Sequence, residues 1–147
     1  MTGCSLRHTS ALLLRVARCT RAASAVEFAM LLPLFLVLVA GIVVFGAYLT
    51  MVHGVQQLAA EAARSSVAGL NETERTSLAE NYVTTNAASY PLLQPGHLTM
   101  SAATSGSGVF VVTVNYDASD SIIFTMPFVP APPSIIVRSA AIPFGGF

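Results

Sequence analysis

From Phe28 to Val52 the chain runs for 25 positions without a charged residue, and nearly every position is apolar. A helix of that length rises about 37 Å at ~1.5 Å per residue. The hydrocarbon core of a bilayer is about 30 Å thick, so the run predicts a membrane-spanning helix with some tilt. Beyond it a helical period appears. Val55, Leu58, Ala59, Ala62 and Ala63 share a stripe, with Gln56, Gln57, Glu61 and Arg64 elsewhere. The same helix is therefore expected to continue from His53 to Ala68 and to stop at Gly69. Asn71 and Glu74 carry the pattern of an N-cap and an N3 acid. Leu78, Ala79, Tyr82, Val83 and Ala87 then mark one face of a second helix, which Pro91 ends at or before Tyr90.

From His97 the period falls to two. Leu98, Met100 and Ala102 alternate, Thr104–Gly108 is a turn-rich loop, and Phe110, Val112, Val114 and Tyr116 alternate again. That is a β-hairpin pattern. Pro127, Pro130, Pro132 and Pro133 make 127–133 an extended loop that cannot be a central strand. Ser134–Ile142 is expected as a third strand, and the apolar ending "IPFGGF" as a segment docking on the sheet or on a partner. The fold class is α+β: a long N-terminal transmembrane α-helix extending into a small domain with a second helix and a short antiparallel sheet. The expected divisions are a basic leader at 1–22, the transmembrane helix at 23–52 and the outer domain at 53–147.

Composition supports a non-aqueous home for part of the chain. Apolar residues make up 54% and charged residues 10%, against about a quarter charged in soluble domains. The net charge of zero hides an asymmetry. Arg7, Arg15, Arg18 and Arg21 precede Glu27 with no acid among them, whereas Arg64, Arg75 and Arg138 face six acids further on. The positive-inside tendency then orients the chain through Arg15, Arg18 and Arg21, with the N-terminus cytoplasmic and residues after about 53 outside. The apolar run exceeds the ~7–15 residues of a secretory signal, so an anchor is expected, with any cleavage before the run. The basic block is short and lacks aromatic residues, which argues against nucleic-acid binding.

Three other features bear on chemistry. Pro33 removes a helical N–H and leaves a carbonyl that lipid cannot satisfy, which marks a kink or a contact with a partner helix. Cys4 and Cys19 both lie in the basic front, so the outer domain has no intrachain disulfide. His8, His53 and His97 have no ligand spacing, Asp117 and Asp120 read as turn residues, and Ser105 and Ser107 form neither a nucleophile elbow nor a phosphate loop. No catalytic set, metal site, cofactor or small-molecule substrate is expected, and the protein is read as a non-enzyme. A small domain without such staples is expected to gain stability by packing on its helix or on neighbouring subunits.

Glu27 opens the apolar run. One role is ordinary: an acid in a first helical turn complements the helix dipole for about 0.3–1 kcal/mol. Its surroundings suggest another. The stretch "RAASAVEFAMLLP" combines a basic leader, small residues, Glu27-Phe28, an apolar helix and a proline six residues after the Glu. It resembles the start of TadE-like pseudopilins of tight-adherence (Flp, type IVb) pilus systems. The resemblance continues through "GIVVFG" and "LAAEAARSSV" and covers about residues 21–67. Two positions depart from that family's pattern: Ala22 stands where the leader usually ends in Gly, and Val44 where an acid is frequent.

The resemblance implies a set of roles. A membrane-embedded prepilin peptidase would cut between Ala22 and Ala23. Glu27, beside Phe28, would then accept the new amine of a neighbouring subunit and set assembly register. The expected partners are that peptidase, other pilins and pseudopilins of the system, and the inner-membrane assembly platform. The expected location is the inner membrane, single-pass, with entry into a pilus as a further step, and the expected role is pilus biogenesis in support of adhesion and secretion. Two rival readings stand beside it. One is an uncleaved bitopic envelope protein whose outer domain is a binding module, favoured by Ala22. The other is an accessory subunit of a membrane enzyme or transporter, disfavoured by Val44.

Overall fold

One helix carries the chain. In the computed structural model, which describes residues 20–106, 108–126 and 129–143, with side chains from Ser24 onward, α1 (Thr20–Ser65) is 46 residues long. It passes through Pro33 without ending. The chain falls into two compact units, one up to Gly41 and one from Ile42 onward. In the first, α1 presents apolar side chains all round: Phe28, Met30, Leu31, Leu34, Phe35 and Leu38 are all exposed. It is long and apolar enough to cross a membrane.

In the second unit α1 gains a buried face. Val44, Met51, Val55, Leu58, Ala59, Ala62 and Ala63 are buried to 1% exposure or less, with Tyr48 and Val52 packed partly against them. Steps of three and four residues keep these positions on one side of a helix, and small alanines let neighbouring backbone approach. A single 3₁₀ turn, Ser66–Ala68, ends the element. Gly69 follows with ordinary extended backbone, φ −76°. Glycine is required there by proximity: a β-carbon would lie 2.7 Å from the Arg75 backbone nitrogen.

α2 (Glu72–Asn86) starts as its sequence predicts. The Asn71 side chain accepts the Glu74 N–H at 2.9 Å. Glu74 reaches back to the Leu70 N–H, also at 2.9 Å, one residue earlier than in the usual capping box. Ala79, Val83 and Ala87 form the buried stripe. α2 runs back along α1: Ser65 Oγ donates to the Leu78 carbonyl at 3.4 Å, and past the end of α2 the side chains of Tyr90 and Leu93 reach Gly54.

The sheet is antiparallel in the order β1 (Leu98–Ser105), β2 (Val109–Asp117), β3 (Ile135–Pro143). Gly106, at φ 63°, supplies the left-handed turn between β1 and β2. On the central strand Phe110, Val112, Val114 and Tyr116 are all buried, the alternation the sequence predicts. The β2–β3 connection carries a short 3₁₀ turn at Ile122–Thr125 with Ile123 buried, and the described prolines Pro130, Pro132 and Pro133 lie outside any strand. Pro127, Ser107 and Phe144–Phe147 of the tail lie outside the described residues, as do Cys4, His8, Arg15, Arg18 and Cys19.

Candidate functional site

The residues singled out by sequence stand on the first turns of α1. Arg21, Ala22 and Ala23 have helical backbone from the outset. Glu27 follows within two turns of Ala22 and is exposed. Its helical neighbours at three, four and seven residues are Met30, Leu31 and Leu34, exposed by 77%, 63% and 67%. Phe28 beside it is 64% exposed. The helix thus offers one carboxylate at the head of a wholly apolar surface. Pro33, six residues on, withdraws the N–H that would bond to the Ala29 carbonyl.

A lone carboxylate beside apolar surface calls for a cation when another apolar body covers it, because an unpaired charge removed from water is costly. Among the residues whose side chains are described, no ion pair to Glu27 is found. The ion pairs there are Arg64–Glu61 at 2.6 Å and His97–Asp120 at 3.9 Å, both in the second unit. Glu27 is exposed on the outside of the helix.

Elsewhere the electrostatics serve the fold. Hydrogen bonds from the Ser119 hydroxyl and N–H hold the exposed Asp117 carboxyl below its ordinary value. Burial pushes the Tyr90 hydroxyl up, aided by a hydrogen bond with Tyr82. Among the described residues no three His, Cys, Asp or Glu side chains converge to hold a metal ion.

Val44 is the position that sequence pattern left unseen. It is fully buried in the second unit. The stripe 44, 48, 51, 55, 58, 62 steps by three and four, yet its first half is invisible in sequence. Its flanks are as apolar as itself, so no period can show.

Residues 22–64 match the family model described as TadE-like protein. This segment is TadE-like. The match opens on Ala22, takes in Glu27, Phe28 and Pro33, and closes one residue before α1 ends. The TadE-like family is a family of pilus components, and the match covers 43 of this chain's 147 residues. No curated protein and no solved structure matches the chain.

Proposed function

We propose that the protein is a minor pseudopilin of a Tad (Flp) type IVb pilus, acting in pilus biogenesis and surface adhesion. The observation that carries this is the TadE-like match over residues 22–64, which spans Ala22, Ala23 and Glu27 on one uninterrupted helix. In this proposal residues 1–22 are a cytoplasmic leader oriented by Arg15, Arg18 and Arg21. Residues 23–52 span the inner membrane, and 53–147 lie outside. A prepilin peptidase removes the leader after Ala22, which frees the α-amino group of Ala23, with an ordinary pKa of about 7.7–8.0. Glu27 pairs with such an amine on a neighbouring pilin, and Phe28 packs beside the pair. The assembly platform of the inner membrane then takes up the subunit.

Pairing explains why a carboxylate is kept at the head of an apolar surface. It costs little while near water, and it fixes the axial position of a subunit when it meets its cation. The test is Glu27→Gln, which keeps shape and removes charge. The variant is expected to insert in the membrane normally and to impair pilus assembly. Normal piliation would return Glu27 to its helix-dipole role. Ala22 in place of Gly favours one second reading, an uncleaved envelope protein whose outer domain is a binding module.

A further inference from the structure

Beyond Leu49, the large apolar side chains that stay exposed among the described residues fall at two ends of the second unit. Val67 and Leu70 flank Gly69. The others are Leu92, Ile122, Met126, Ile135 and Val137. Hydrogen bonds fix where this second group lies. Glu72, at the start of α2, accepts the Thr104 N–H at 3.1 Å. Thr104 pairs with Phe110 and Phe110 with Ile142, so that row of the sheet lies at the Gly69 end. The opposite row is Leu98, Tyr116 and Ile136. Its Tyr116 hydroxyl donates to the Leu92 carbonyl at 3.2 Å, and the adjacent Leu93 packs on Gly54.

The middle of β3 supplies a level mark. The Ser139 carbonyl accepts from Gln56 Nε2 at 3.5 Å. From Ser139 to Ile135 the strand falls about 13 Å at ~3.3 Å per residue. That is the rise of up to about nine helical residues. The start of β3 therefore reaches the level of about Ala47–Met51, towards the end where the polypeptide enters the unit at Ile42, and the connection leaves β2 beside that start, the Ala118 N–H donating to the Ser134 carbonyl at 2.9 Å. Leu49 at that level, and Ile42 and Phe45 one to two turns before it, are exposed and apolar. Between Arg75 and Arg138 the chain has no Lys or Arg, while Asp117 and Asp120 lie beside this end.

We infer that this end of the unit seats on lipid, with Leu92, Ile122, Met126 and Ile135 entering the interfacial zone of the bilayer that α1 crosses. The inference rests on the proposed membrane-spanning role of α1. An exposed apolar cluster beside Ile42, Phe45 and Leu49 is what a bilayer surface covers at a depth of about 5–10 Å. Arg138, next to Val137, is the one Lys or Arg after Arg75, and two acids lie beside this end, so the contact is mainly apolar and is not expected to need anionic headgroups.

The chain contains no Trp, so one substitution gives a clean reporter. The full chain is reconstituted in zwitterionic vesicles whose lipids carry bromine near the headgroup or deep in the tail. Ile122→Trp is the probe, Ile135→Trp a second in case the first disturbs the loop, Leu36→Trp the span control and Val67→Trp the distal control. The expected result is quenching of Ile122→Trp, stronger from shallow bromine, with Val67→Trp unquenched. If Leu36→Trp is quenched and both probes behave like Val67→Trp, the lipid seat is wrong and the span stands. If Leu36→Trp is also unquenched, the span fails and the seat with it. Probe emission that is blue-shifted, unquenched and lost on dilution of protein in lipid would assign the patch to a second copy and overturn the inference.

Discussion

Leu93 closes over Gly54: its Cδ1 lies 3.3 Å from the point where a β-carbon on residue 54 would stand, and its Cγ 3.6 Å. A glycine in a long helix costs about 1 kcal/mol in propensity, and this contact is the compensation. Gly54→Ala is expected to be near neutral, since gained propensity offsets the tight contact. Gly54→Val is expected to cost about 1–3 kcal/mol by overpacking. Urea unfolding of the detergent-solubilised protein checks both, and a Gly54→Val midpoint equal to the parent's would show that Leu93 moves aside freely.

Val44→Glu tests how far the second unit's core reaches. An unpaired buried charge is expected to cost about 3–5 kcal/mol. Val67→Glu, at a side chain 54% exposed, is expected to stay within about 0.5 kcal/mol of the parent. Limited proteolysis of residues after 53 should separate the two variants, and equal protection would remove Val44 from the core.

Leu92 holds φ at 66°, a left-handed conformation that costs an ordinary residue about 1–2 kcal/mol. Leu92→Gly removes that strain and adds about 0.5–1 kcal/mol of unfolded-chain entropy. A net gain of about 0.5 kcal/mol is expected, read as a higher thermal midpoint. A lower midpoint would mean that the half-exposed Leu92 side chain matters more than its backbone.

Asp117 sets an acid-side dependence. Its folded pKa lies below the ordinary 3.8 because Ser119 donates to the carboxylate. A depressed pKa contributes stability above the unfolded value, lost as pH falls through the folded one. Asp117→Asn is therefore expected to be slightly less stable than the parent at neutral pH, with the gap closing in acid. A gap that widens in acid would reverse the sign.

Much of the fold was legible because two periods and a cap are written in the sequence. The stripe from Val55 to Ala63, the Asn71–Glu74 cap and the alternation from Phe110 to Tyr116 each reappear as a buried face or a hydrogen bond. The core contribution of Val44 and Met51 was hidden, since a uniformly apolar run carries no phase. The contact of Arg75 with Gly69 was also hidden, because it depends on how two helices close. At the candidate site the TadE-like segment was legible from residue types around Glu27. What Glu27 pairs with was not, because its proposed cation belongs to another subunit.

The amino-terminal residue of the protein from native membranes, read by intact mass spectrometry, tests the pseudopilin proposal most directly. The expected chain begins at Ala23, cleaved after Ala22 despite the missing glycine. A chain still carrying Arg15, Arg18 and Arg21 would contradict it, because Glu27 would then have no freed Ala23 amine on a neighbouring copy to meet.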